Sequence, residues 1–347
     1  MDFAIERAAH EPGTDPLWRE SYYFEFFDDD AGIGLFHSMG ERPAKNHSGV
    51  FSGVWGDQRA VLVDWDKVGR YDDGTVHRSA GFEYKQDPLT GIWHMTFSGA
   101  MVRVPNTAGD TPGTRVPHEL MLPPRKQVES GMEPDLVPAN WDIAFTPCSP
   151  AYRYEPVSPL WSTVFDVHYD QFGIFSGHLT IGDKTYEVNA KGMRDHSWGV
   201  RDWAKVDEWQ FGWFHHAPGQ SVAWWELTIG DTTVWDGAVH RGDAKGASVV
   251  SVDRTIRFRG DRAESEPTTA EFVVHTSDGE DIRIETQIVD VVPARFVKTD
   301  HESQEVNTTI VDHCLARHLD IVGVTRHGQY EITRTSRSPL ARERSGE

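Results

Sequence analysis

The chain has 347 residues, 38% of them hydrophobic and 25% charged, with a formal net charge of −20. That length fits two domains of ordinary size, and the apolar content fits buried cores, which excludes a globally disordered chain. A negative field of this size repels nucleic acid and anionic lipid, and no basic patch with interleaved aromatics offsets it.

Period-two alternation recurs along most of the chain, and long helical periodicity is scarce. "SYYFEFFDDDAGIGLFHSMG" reads as a strand, an acidic glycine turn and a second strand. "RAVLVDWDKV" alternates Val61, Val63 and Trp65 against Ala60, Leu62 and Asp64. "GFEYKQDPLTGIWHMTFSGAMVRV" is a hairpin around Asp87-Pro88-Leu89-Thr90-Gly91. The segment from Asn106 to Asn140 is rich in Pro, Gly and polar residues. It reads as a long loop with one short helix at "HELMLPP", of a length that suits a lid. "SPAYRYEPVSPLW" is a second proline-punctuated stretch.

"GHLTIGDKTYEVNAKG" turns at Gly182-Asp183-Lys184, "SVAWWELTIGDTTVWDGAVH" at Gly230-Asp231, and "AEFVVHTSDGEDIRIETQIVDVV" at Asp278-Gly279. This is a serial antiparallel meander, as in barrels and sandwiches. A boundary in the 180s divides it into residues 1–185 and 186–347. The charged tail from Ser336 is expected to fray.

Cys148 and Cys314 are the only cysteines. There is no CxxC, so a cysteine zinc site is excluded, and the scattered histidines give no ligand spacing for a metal. HExxH, a P-loop, a GxSxG elbow and a usable GxGxxG are all missing, so neither a metal nor a nucleotide cofactor is expected. The N-terminus lacks a basic start and apolar core, and no run approaches 18 apolar residues. The expectation is a cytoplasmic protein without membrane insertion, with a homo-oligomer left open.

"GMRDHSWGVRDW", Gly192 to Trp203, concentrates the chemistry. In an extended strand Asp195 and Ser197 share one face, and Arg194, His196 and Trp198 share the other. The bracketing glycines suggest a bulge or turn that would let Asp195 and His196 converge. The structural alternative is an Arg–Asp network that holds shape, with the tryptophans filling core.

The run "RDHSWG", preceded by "LTIGDKTYEVNAKG", resembles the tandem-lipocalin proteins of the AttH/carotenoid 1,2-hydratase type (hydroxyneurosporene synthase-like), and most closely a little-characterised bacterial branch of them. Asp-His-x-Trp-Gly is the specific part; "ESYYFEF" and the many strands agree more loosely. The resemblance implies an all-β protein of two packed lipocalin-like antiparallel β-barrel domains with an apolar pocket near their junction. It also implies a greasy small-molecule substrate, while the family's reactions (water addition, dehydration, cycloaddition) leave the chemistry open.

The working hypothesis is a cofactor-independent hydratase, dehydratase or isomerase acting on a terpenoid, steroid or aromatic polyketide. Asp195 is the proton donor or acceptor, His196 a relay, and Arg194 and Arg201 set the charge of Asp195. Trp198, Trp203, Trp224 and Trp225 are candidate pocket walls whose ring faces stabilise cationic carbon. In "VAWWELTIGD" the face of Ala223, Trp225 and Leu227 reads as core, and that of Val222, Trp224 and Glu226 as mixed. Glu226 and His240 are candidate substrate contacts. A non-catalytic carrier of a hydrophobic ligand and a pericyclase are the competing readings.

Overall fold

Alternate burial is what makes each long segment a sheet strand. In Leu136–Pro147 the side chains of Val137, Ala139, Trp141, Ile143 and Phe145 are buried, while Leu136, Pro138, Asn140 and Asp142 are exposed. A computed structural model describes residues 10–67, 70–72, 76–104, 114–154, 158–242, 246–260, 265–299, 306–335 and 337–338.

The chain forms two compact units. Met1–Asn106, Glu119–Arg153 and Phe165–Arg201 make the first; Thr107–His118, Tyr154–Val164 and Asp202–Glu347 make the second. The chain therefore enters the second unit three times, and for the last time after Arg201, not once at the expected 185/186. The expected boundary falls inside a strand, Lys184–Val200, that is paired on both sides within the first unit.

The strands up to that point are β1 (Trp18–Asp28), β2 (Ile33–Arg42), β3 (His47–Gly56), β4 (Ala60–Lys67), β5 (Arg70–Asp72), β6 (Val76–Ser79) and β7 (Phe82–Gln86). They continue as β8 (Trp93–Arg103), β9 (Thr114–Arg115), β10 (Leu136–Pro147), β11 (Tyr152–Arg153), β12 (Val167–Ile181) and β13 (Lys184–Val200). In the first unit the path β10-β12-β13-β1-β2-β3-β4-β8 returns on itself, because β8 also pairs with β10. This closes an eight-stranded antiparallel barrel, from which β7, β6 and β5 continue off β8. Tyr22, Phe24, Phe26, Trp93, Trp141, Phe145 and Phe175 fill its interior.

The second unit orders β16 (Thr232–Arg241), β15 (Gln220–Ile229), β14 (Glu208–Ala217), β21 (Thr325–Thr335), β20 (Val306–Leu319), β19 (Asp281–Thr299), β18 (Pro267–Thr276) and β17 (Val249–Phe258) as neighbours. A bridge between Ala238 and Ser248 brings the two ends of this sheet together. Phe214, Trp224, Phe272, Ile284, Tyr330 and Ile332 form its core. The architecture is all-β, two lipocalin-like antiparallel barrels. The short β9 adds one parallel pairing, to β19.

The expected loop from Asn106 to Asn140 is only partly a loop. A 3-10 turn at His118–Met121 and helix α1 (Pro124–Glu129) occupy its middle, and β10 takes its end. Pro138 disguises that strand: its side chain faces out and its carbonyl accepts a bond from Gly182. Residues 105–113, and most of the tail beyond Ser336, lie outside the described residues.

Candidate active site

The hairpin of β12 and β13 sets the geometry. Its turn at Gly182-Asp183 pairs Ile181 with Lys184, and the register then runs without a shift to Val167 opposite Trp198. Asp170 faces Asp195, Tyr169 faces His196, and His168 faces Ser197. The other edge of β13 pairs as regularly with β1, putting Tyr23 opposite Asp195 and Tyr22 opposite His196. The expected bulge is not there. Asp195 and His196 remain on opposite faces and do not serve one pocket.

The bracketing glycines answer to close packing. A Cβ on Gly192 would lie 2.1 Å from the Glu25 carbonyl oxygen. Gly199 adopts φ +128° and a Cβ there would meet the Asp166 backbone nitrogen at 2.3 Å.

The inward face of β13 carries Arg194, His196 and Trp198. Arg194 donates from Nε and Nη2 to Gln171 Oε1 at 2.9 and 2.7 Å and lies over the Trp93 ring at 5.5 Å. It is a barrel-filling cation on the far side of the strand from Asp195, so it does not set that carboxylate's charge as expected. His196 Nε2 meets Glu20 Oε1 at 2.9 Å, and His10 Nδ1 meets the same oxygen at 2.8 Å. Trp198 stacks on His10 with centroids 3.4 Å apart.

Burial opposes ionisation of Glu20, but the hydrogen bonds from His10 and His196 outweigh it and bring the carboxyl down to about 2. Glu41 stands directly across from Glu20 on β2. Burial and the Glu20 charge push Glu41 up to about 8. Two facing carboxylates thus hold their protons at opposite ends of the range.

The outward face carries Asp195, Ser197 and their partners. Asp195 is buried, and its carboxylate accepts no hydrogen bond from a described side chain. Burial raises it to about 6; His168, Arg201 and Arg19 pull downward and Asp170 adds to the rise. His168 Nε2 meets Asp170 Oδ1 at 3.0 Å. The ligand-type atoms of His168, Asp170 and Asp195 all lie within 4.8 Å of one another. Arg201 donates from Nη2 to Ser21 Oγ at 2.8 Å and also to Ser197 Oγ. Burial lowers its guanidinium to about 10 despite Asp195. Arg201 thus stands in the field of Asp195 without offsetting the effect of its burial. Tyr23 and Phe36, with centroids 6.5 Å apart, continue this face as a buried aromatic strip with Phe51 and Trp55.

His10, Glu20 and His196 form the other trio with a donor set suited to a cation. In both trios direct hydrogen bonds of 2.8–3.0 Å already engage members with one another, the arrangement of proton-sharing networks.

The remaining candidates belong to the second unit and do not converge there. Trp224 sits in that barrel's core against Phe214 and Phe272. Glu226 shares its face, accepting from Arg254 and, at 3.0 Å, from Trp235 Nε1. Burial raises the Glu226 carboxyl against the pull of Arg254. Trp225 and His240 face the other way, both buried, with Trp225 against Phe211. The expected assignment of the two faces is therefore reversed: the interior face is that of Val222, Trp224 and Glu226. Trp203 packs on Trp209. These side chains belong to the second unit, whereas Asp195 belongs to the first.

A family model described as "Domain of unknown function (DUF7064)" matches residues 4–317. The chain belongs to that family. No curated protein matches it by sequence. Among solved structures it is similar in fold to a putative AttH from Nitrosomonas europaea, at 10% identity over 96% of both chains with a TM-score of 0.58. It is also similar to kievitone hydratase from Nectria haematococca, at 9% identity over 96% of this chain and 94% of that one, TM-score 0.51. CghA, solved with Sch210972, aligns at 12% identity over 94% and 93%, TM-score 0.50. The tandem-lipocalin resemblance carried by "RDHSWG" is thus matched at the level of fold.

Sequence reasoning passed over His168, Asp170, Glu20, Glu41 and His10. The first two were within reach. A two-residue turn at Gly182-Asp183 dictates that Asp170 faces Asp195, and "HYD" alternation then puts His168 on the same face. His10, Glu20 and Glu41 gave no such signal, since only barrel closure and the N-terminal path bring them together.

Proposed function

We propose that this protein is a cofactor-independent lyase or isomerase of the hydratase or dehydratase type, acting on a hydrophobic small molecule through acid–base chemistry. The observation that carries the reading is Asp195: a buried carboxyl raised to about 6, with no side-chain hydrogen bond among the described residues, beside the His168–Asp170 pair. Near neutral pH such a group exists in both protonation states, which is what reversible proton transfer to carbon requires.

In the hydration direction, the alkene π pair takes the Asp195 proton and the positive charge forms on the neighbouring carbon. Water adds there and gives its proton to His168, whose ring Asp170 orients. Dehydration runs the same steps backwards, and isomerisation replaces water attack with loss of a proton from the adjacent carbon. The aromatic strip of Tyr23 and Phe36 supplies an apolar wall for a greasy substrate. The fold similarity to a protein named kievitone hydratase agrees with small-molecule conversion. His196 takes no part in the proton path at Asp195; it positions β13 through Glu20.

A screen of terpenoid, steroid and polyketide ligands against the wild type and Asp195→Asn tests this. Thermal shift reports binding, and chromatography reports conversion even where mass is unchanged. Binding by both proteins with conversion only by the wild type is expected. Binding by both with conversion by neither would make the protein a carrier, and equal conversion by both would point to a pericyclic reaction.

A further inference from the structure

The inward cluster of the first barrel closes around a single oxygen. His10 Nδ1 and His196 Nε2 lie 2.8 and 2.9 Å from Glu20 Oε1, and the three ligand-type atoms stand within 4.8 Å of one another. Ligand atoms on a zinc-type ion, with bonds of about 2.0–2.2 Å, stand roughly 3–3.5 Å apart. Shifts of about half an ångström open this trio around such an ion.

The three side chains are already aimed. Trp198 stacks on His10 with centroids 3.4 Å apart, and Tyr22 on His196 at 4.3 Å. The backbone N–H of His10 donates to Glu20 Oε2 at 3.1 Å, and the Tyr22 hydroxyl donates to Oε1 at 3.3 Å. Glu20 is thus held at one oxygen by the backbone and turns the other toward both imidazoles. Outer contacts of this kind fix the orientation of ligands in metal sites. Glu20 and His196 are buried and His10 is partly so.

A separate observation points to a cation. Glu41 stands directly opposite Glu20 across the ladder of β1 and β2, so the two carboxylates share a face. Glu41 is 4% exposed, and its Oε1 has no hydrogen-bond partner among the described residues. Arg19, whose charge also reaches Glu41, belongs to the other face of β1. Arg194, further along the inward face of β13, is bound to Gln171. A divalent cation answers both facing carboxylates and the open oxygen. Two imidazole nitrogens and a carboxylate suit an ion of the zinc class, whereas calcium and magnesium take oxygen ligands.

We propose that His10, Glu20 and His196 bind a zinc-type divalent cation, with Glu41 as the candidate fourth donor. The ion pins the N-terminal segment at His10 to β1 and β13 and acts as a structural staple of the first barrel. Without an ion the same atoms share protons. Glu20 lies 10 residues from His10 and 176 from His196, so no sequence spacing betrays the set, and the expectation of no metal is revised. The site stands independently of Asp195, which lies on the opposite face of β13.

The test is titration of the EDTA-treated full chain with Co²⁺, a spectroscopic stand-in for Zn²⁺. Wild type is expected to bind one equivalent, to show visible d–d bands that Zn²⁺ abolishes, and to melt higher with either ion. His10→Ala should weaken binding by about a hundredfold or more, with circular dichroism checking its fold. His10→Cys separates a lost ligand from a disturbed fold. Its thiolate puts a donor near the position of Nδ1, so it should keep the cobalt and add a sulfur-to-metal charge-transfer band in the near ultraviolet. The proposal is overturned if wild type binds neither ion, if His10→Ala binds as wild type does, or if His10→Cys holds cobalt without the new band. It is also overturned if Asp170→Asn, and not His10→Ala, loses the ion, which would place it on the His168–Asp170–Asp195 trio.

Discussion

Asp170 and Asp195 stand directly opposite each other across the ladder of β12 and β13, and the charge of the first helps to keep a proton on the second. Like charges in that position destabilise a sheet unless something offsets them. Here His168 beside Asp170, and Arg201 on the far side of Asp195, do so. Asp170→Asn should therefore move the Asp195 titration downward from about 6, and Arg201→Gln should move it upward. Carboxyl-carbon NMR of labelled protein, or the pH profile of turnover once a substrate is found, reads both. Shifts of the same sign in the two variants would contradict the arrangement.

The raised carboxyl also has a thermodynamic signature. Asp195 at about 6 binds a proton more tightly when folded than the ordinary aspartate value of 3.8. Its burial is free of this cost below pH 3.8 and becomes costly as pH rises through 6. At pH 8 the full penalty is about 3 kcal/mol. Asp195→Asn should accordingly melt higher than wild type at pH 8, and the difference should vanish near pH 4. Matched melting temperatures at pH 8 would show that the ionised form is as well accommodated as the neutral one.

Glu20 runs the other way. Its folded value of about 2 lies below the ordinary 4.5, so its network stabilises the fold above pH 4.5 and loses that contribution as pH falls toward 2. The full contribution is about 3 kcal/mol at neutral pH. Glu20→Gln should cost an amount of that order in denaturant unfolding at pH 7. It should also let Glu41 titrate somewhat below 8, because burial chiefly holds that carboxyl up and the Glu20 charge adds to it.

Gly199 gives a prediction that needs no titration. An alanine there would carry φ +128° and press its Cβ against the Asp166 backbone. Gly199→Ala should destabilise the protein by about 2–4 kcal/mol, measured by chemical denaturation. Alanine at Gly230, a turn glycine at φ +59° with open space around its Cβ, should cost clearly less.

Much of the fold was legible because β-alternation and turn residues act locally. The Gly182-Asp183 and Gly230-Asp231 turns stand where the periodicity puts them, joining β12 to β13 and β15 to β16. What was not legible depended on closure. Whether Trp224 or Trp225 points into a barrel cannot be read from "VAWW", because both faces of β15 are buried. Pro138 hid β10, and the Lys184–Val200 strand ran past the expected boundary because its neighbours on both sides lie in the first unit. The meeting of His10, Glu20 and His196 joins residues 176 apart in sequence or reaches back to the N-terminal segment. The twelve residues from Gly192 are dense because one straight strand carries two separate polar clusters, one on each side.

That last feature has an evolutionary side. Because alternate residues of β13 serve different clusters, a slip of one position would turn Arg194 and His196 outward and send Asp195 into the barrel. Every substitution between Lys184 and Val200 can be absorbed or rejected one residue at a time, whereas a single insertion or deletion would exchange both clusters at once. Among homologues that keep this chemistry, the spacing between the Gly182-Asp183 turn and Asp195 should vary less than the identities of the residues within it, and any length change should occur in steps of two.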